Sequence, residues 1–296
     1  MTIVFEDDIK TDYEGYIKLL RIISEADNSS ATLIVFDFSN VRFFEANLCA
    51  VLGAIMEIIT VKGKTVSLIN INDRVKNIMR KNRFLYEYGF PDLIDSYNTT
   101  IQYQKFNPAK TEDDQRFNRY IQDQLLGKPE FPSHSGLLGV HITRNIFELY
   151  ENARTHGKCN YIHTCGQYFP KMPSKPLNVT IVDRGINFKE NVRAFLNKNI
   201  EGNKAIEWAI QNGNTTKTGN ISGGLGLNII FEFVKHNKGK IQIISADGYW
   251  EWHNGIVLSK IFPFSFDGTI ANLRFNLNDP SHYILKREQT DFDNIF

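Results

Sequence analysis

Short β-branched runs alternate with helical stripes through the first hundred residues, and that alternation confines the first half of the chain to a small α/β layer. Tyr16, Leu19, Leu20 and Ile23 recur at helical spacing within 13–26. Residues 32–38, TLIVFDF, make a run of strand length, and 65–71 make a second. Between them, 47–60 reads as a helix. Asn72 stands where a cap would open a helix reaching about Arg83, and 99–106 reads as a further strand. The apolar run at 48–60 contains Glu57 and is too short to span a bilayer.

The pattern changes in the middle of the chain. Residues 112–126 have the look of a polar connecting helix, and GKPEFPSHSG at 127–136 concentrates loop formers at an expected boundary. A long helix is expected from Leu137 to about His156, then strands near 161–169 and 177–183. Helices at 188–196 and 204–211 lead to a glycine-rich stretch and a helix at 225–235. Three closing strands are expected at 240–245, 256–262 and 269–277, with a loose polar tail beyond Pro280. The expected fold class is α/β (α+β): a small α/β domain at 1–106, a connector at 107–135, a two-layer α/β sandwich at 136–280 and a tail at 281–296.

Net charge is 34 − 33 = +1, so neither nucleic acid nor an anionic membrane is an expected partner. Three cysteines are too few for a disulfide framework, and the first residues lack a basic, apolar leader. A cytoplasmic protein is expected.

Three separated segments carry candidate chemistry. In FELYENARTH (147–156), Glu148 and Asn152 lie four apart and share a helix face, where a carboxylate and a carboxamide oxygen can hold a hard cation and orient water. In VTIVDRGIN (179–187), an apolar strand ends in Asp183, and Gly185 allows close approach of a ligand. Asp183 can accept a hydrogen bond from an exocyclic amine such as adenine's. In NTTKTGNISGGLGL (214–227), Gly223, Gly224, Leu225 and Gly226 lead into a helix, where backbone N–H groups suit a phosphate chain, and Thr215, Thr216 and Lys217 add donors and charge. Each segment alone is weak: a polar pair on a helix is ordinarily a solvated face, and Asp and Gly are turn formers. The Walker spacing is absent.

In order and spacing the three segments resemble the N, G1 and G2 boxes of the GHKL ATPase superfamily, over about 136–278. The first is most similar to that of the anti-sigma-factor serine kinases. The resemblance implies a Bergerat-type sandwich that binds ATP with Mg²⁺. Asp183 would bind adenine, helped through water by Thr269, with Gly185 making room. Asn152 would ligate Mg²⁺ and Glu148 would polarise the attacking water or hydroxyl. Gly223, Gly224 and Gly226 with Lys217 would form the lid over the β- and γ-phosphates, and Thr215, Thr216 and Leu225 would join them in binding the nucleotide. Asn187 stands where the family has a second glycine, and Ser222 where a glycine often opens the run.

The first hundred residues resemble, more faintly, a STAS domain, with Asn47 at the position of a phosphorylated serine and Glu45 at the preceding acidic position. The implied function is an ATP- and Mg²⁺-binding regulatory protein whose lid ordering controls a partner protein, with slow hydrolysis. The alternatives are a serine/threonine protein kinase acting on a STAS partner and a nucleotide-gated homodimer clamp. His156, Cys159, His163 and Cys165 are better read as a strand and helix end than as a zinc site.

Overall fold

The computed structural model of the chain describes residues 1–155, 160–211, 214 and 228–288, with 152–155 described by backbone alone. The fold is mixed α/β and contains two sheets. The first is parallel, with strands β1 (Thr2–Val4), β2 (Leu33–Asp37) and β3 (Thr65–Ile69) side by side in that order. Helix α1 (Tyr13–Asp27) starts where the Asp12 side chain accepts from the Gly15 N–H at 2.8 Å. Helix α2 spans Cys49–Val61, and α3 (Asp73–Lys81) opens at Asn72, whose side chain accepts from the Val75 N–H at 3.1 Å. The cap read from the sequence at Asn72 is therefore formed.

The second sheet is antiparallel throughout, in the order β4 (Thr100–Phe106), β5 (Ile162–Tyr168), β6 (Pro176–Asp183), β8 (Ile256–Asn276) and β7 (Lys240–His253). Its first strand is the one expected to close the N-terminal domain. It pairs with β5 instead, because Ile101 and Phe106 are buried with the second core and find their neighbours there. The supposed polar connector also belongs to this unit. Helix α4 (Thr111–Tyr120) runs into a π-helical turn at Ile121–Leu126, and Phe117, Tyr120, Ile121 and Leu125 are buried. Two strands replace the three expected at the end. Asn254 and Gly255, at φ 49° and 80°, make a tight hairpin turn between β7 and β8, while Asp267 and Gly268 stay within β8. Residues 281–288 fold back as well: the Tyr283 N–H donates to the Ser133 carbonyl at 2.9 Å.

Helices α5 (Gly136–Thr155) and α8 (Asn228–His236) cover one face of the five-stranded sheet, packed with Leu177, Val179 and Ile181 of β6 and Ile241 and Ile243 of β7. The opposite face is covered by the N-terminal half. Val182, Ile244 and Ile270 share a core with α1 and α2. The C-terminal unit is thus one sandwich inside a four-layer stack of sheet, helices, sheet and helices. Helix α2 is its middle, with Cys49 through Met56, Ile58 and Ile59 all buried. A helix that is apolar all round requires such a site. Among the described residues, no helix is long and apolar enough to cross a membrane.

A chain of buried amides and hydroxyls crosses the seam. Asn47 Nδ2 donates to Thr11 Oγ1 at 2.9 Å and to Thr180 Oγ1 at 3.0 Å, and Thr180 Oγ1 donates to Asn272 Oδ1 at 2.8 Å. Asn272 Nδ2 then donates to Gln242 Oε1 at 2.9 Å. Removing one member strands the rest in a dry seam, at about 1–3 kcal/mol. Asn47→Ala is expected to lower the melting temperature by several degrees while unfolding stays a single transition, as read by calorimetry. Two separated transitions would contradict a shared core.

Candidate functional site

Side chains alternate across a strand, so Asp183 continues the row of Leu177, Val179 and Ile181 and lies on the helix-covered face. Its β8 partner is Thr269, and the β7 partner of Thr269 is Ser245. One polar row therefore crosses three strands at this end of the sheet. The Ser245 hydroxyl donates to the Gly268 carbonyl at 2.9 Å, lies 3.2 Å from the Thr269 hydroxyl and accepts from the Phe188 N–H at 2.9 Å. It ties the start of α6 (Phe188–Leu196) to the row. Asn187, at the position of the missing glycine, caps that helix by accepting from the Glu190 N–H at 2.9 Å.

The Asp183 carboxylate turns back on its own chain, with Oδ1 accepting from the Gly185 N–H at 2.8 Å. Burial pushes the carboxyl up to about 7, against the opposing pull of the Gly185 and Thr269 backbone N–H groups. The backbone around it is tightly clamped. Gly268 has φ 136°, and a Cβ there would lie 2.0 Å from the Asp183 carbonyl oxygen and 2.8 Å from Arg184 Cα. No side chain fits.

Chain direction brings the other two segments to the same end of the sheet. Helix α5 runs into β5, whose His163 pairs with Val182 beside Asp183, so the C-terminal turn of α5 is near this end. Glu148 is half-buried, and Asn152 lies one turn beyond it on the backbone of α5. Helix α8 is followed by β7, which starts at Lys240 opposite Arg274, at the far end of the sheet. Its 9 residues rise about 13 Å, close to the roughly 16 Å of strand from Lys240 to Ser245. Its first turn therefore returns to the Asp183 end. Asn145 Oδ1 accepts from the Ile230 N–H there at 3.1 Å, one helical turn before Glu148. The start of α8 is thus held against α5 at Asn145. Thr215, Thr216, Lys217, Gly223, Gly224, Leu225 and Gly226 lie outside the described residues, as do His156 and Cys159 and the side chain of Asn152.

Some participants were not singled out from the sequence. Ser245 continues the alternation of Ile241 and Ile243 as a lone hydroxyl, and Asn145 precedes Glu148 by three. Both signals were legible. Gly268 becomes meaningful only once β6 and β8 are in register.

The chain matches no protein-family model, and no curated protein matches it.

Because its native pKa of about 7 exceeds the ordinary value of 3.8, Asp183 binds more protons in the folded chain than in the unfolded one between those values. Stability from this residue is therefore lost as pH rises from about 4 to about 7. Asp183→Asn should melt several degrees above wild type at pH 8 and close to it at pH 4. An unchanged melting temperature at pH 8 would contradict a desolvated carboxylate. Gly268→Ala should melt lower than wild type at either pH, by scanning calorimetry.

Proposed function

We propose that this end of the five-stranded sheet binds an adenine nucleotide with magnesium, as the site of an ATP-dependent regulatory protein. The observation that carries the reading is the placement of Asp183. It is a strand-tip carboxylate on the helix-covered face, flanked by Thr269 and Ser245 and facing the same end as the Glu148 helix and the start of α8. The resemblance of the three segments to the GHKL boxes supports the same assignment.

In this reading the adenine amine donates to the outer oxygen of Asp183, and Thr269 adds a water-bridged contact. The fit to magnesium rests on the donor set. The carboxamide of Asn152 and the carboxylate of Glu148 are hard oxygen donors one turn apart, and Mg²⁺ ordinarily takes one or two protein oxygens and completes its shell with phosphate and water. Bound magnesium would neutralise phosphate charge. Glu148 holds and polarises water for slow hydrolysis. The positive end of α8 favours the phosphates. Nucleotide occupancy then controls association with a partner protein, and the N-terminal layer is the docking module.

Protonation of Asp183 turns one acceptor oxygen into a donor, so affinity for the amine should rise with pH through about 7. Titration calorimetry with ATP and Mg²⁺ should show tighter binding at pH 8 than at pH 6, and no measurable binding by Asp183→Asn at pH 8. Equal binding by wild type and Asp183→Asn would overturn the assignment.

A further inference from the structure

Helix α2 carries one carboxylate in an otherwise apolar stretch, and it is not solvated. Glu57 Oε1 accepts from Arg184 Nη1 at 2.9 Å, and Oε2 lies 2.8 Å from His163 Nε2. The other ring nitrogen of His163 lies 2.8 Å from the Tyr103 hydroxyl. Side-chain exposure is 13% for Glu57, 17% for Arg184 and 1% for His163. Burial drives His163 down and so keeps the ring neutral, which leaves it donating through Nε2 and accepting from Tyr103 through Nδ1. Burial also pushes Glu57 up, but the hydrogen bond from His163 and the hydrogen bond and charge of Arg184 outweigh it and hold the carboxyl below its ordinary range. The carboxylate stays ionised, and Arg184 supplies its balancing charge.

Arg184 follows Asp183 directly. Adjacent residues at a strand end point to opposite faces, so Asp183 faces α5 and α8 while Arg184 reaches α2. The turn closed by the Asp183 carboxylate on the Gly185 N–H encloses Arg184, and Gly268 presses on the backbone of both residues. The Arg184 side chain and the Asp183 carboxylate therefore leave from one clamped turn. The dipeptide joins the two faces of the sheet through one pair of bonds.

We propose that Glu57 is a positioning residue for the nucleotide site: by holding Arg184 it sets the Asp183 carboxylate, so the N-terminal layer tunes nucleotide affinity and is in turn tightened by nucleotide. This rests on the adenine-nucleotide reading of Asp183. The coupling is reciprocal by linkage, and couplings of this kind span roughly 5- to 150-fold in affinity. Because α2 is gripped by both sheets, the tightening should reach it.

The test uses the full chain, ATP with Mg²⁺, titration calorimetry and hydrogen exchange. Glu57→Gln keeps the shape and removes the charge, and is expected to weaken ATP binding about tenfold or more. Lys62→Gln, which breaks an exposed pair with Asp27 just past the same helix, is the control and should bind as wild type does. In wild type, ATP should slow exchange across α2, and in Glu57→Gln that slowing should vanish. A purely structural ion pair would lower the melting temperature without changing ATP-dependent exchange. If Glu57→Gln fails to fold, the double variant Glu57→Gln/Arg184→Gln removes both charges of the pair and takes its place. Wild-type affinity in either variant overturns the inference alone. Absence of ATP binding by wild type overturns the nucleotide reading and this inference with it.

Discussion

Burial of α2 between two sheets is the interaction on which the rest of the structure depends. Val51, Leu52, Ile55, Met56, Ile58 and Ile59 are each at most 4% exposed. At about 1.5–3 kcal/mol for each such side chain, the helix contributes on the order of 10 kcal/mol of apolar burial. Neither sheet could supply that alone. The parallel sheet has three short strands and covers one side of α2, and the five-stranded sheet covers the other. The chain therefore divides into two units by pattern but shares a core between them.

Apolar burial is not directional, and the polar chain across the seam provides the direction. Asn47, Thr180, Gln242 and Asn272 are all fully buried, and each takes part in the amide and hydroxyl chain. A shift of the N-terminal layer by one residue would leave several of these groups dry and unpaired, so one docking arrangement is selected. Asn47 acts here as a structural amide, and its position in the seam keeps it away from solvent.

Most elements were legible because their signals are local. The stripe at Tyr16, Leu19, Leu20 and Ile23, the cap at Asn72 and the run ending at Asp183 each became the expected element. What stayed hidden was pairing. TIQYQKF at 100–106 alternates in a way that either sheet could accept, and only Ile101 and Phe106 meeting the second core decides it. The Asn254–Gly255 pair, between two apolar runs, is a strong local turn signal, and it marks where β7 gives way to β8. Phe117, Tyr120, Ile121 and Leu125, at i, i+3, i+4 and i+8, marked the connector as a buried helix, but its many charges masked the stripe. At the site, Asp183, Glu148 and Thr269 could be picked by residue type and order. Ser245 and Gly268 needed three strands in register, which no single segment contains. Glu57 was visible only as a charge that spoiled a membrane span; its partners are more than a hundred residues away in the chain.

A sheet covered on both faces has few places where charge can stand. Within β6, every side chain from Pro176 to Val182 is buried, and a charge in that stretch would be enclosed by core on either side. The strand end is different: Asp183, Arg184 and Gly185 are half-buried, and consecutive residues still alternate between faces. Asp183 and Arg184 use that geometry, one facing each layer, and Gly268 permits the close backbone approach that holds them. The carboxylate is kept near neutrality by its surroundings while the guanidinium is held by a partner that stays ionised. An acid destabilised where it stands, beside a base anchored in the neighbouring layer, gives this end of the sheet chemical potential that the interior of the sheet cannot carry.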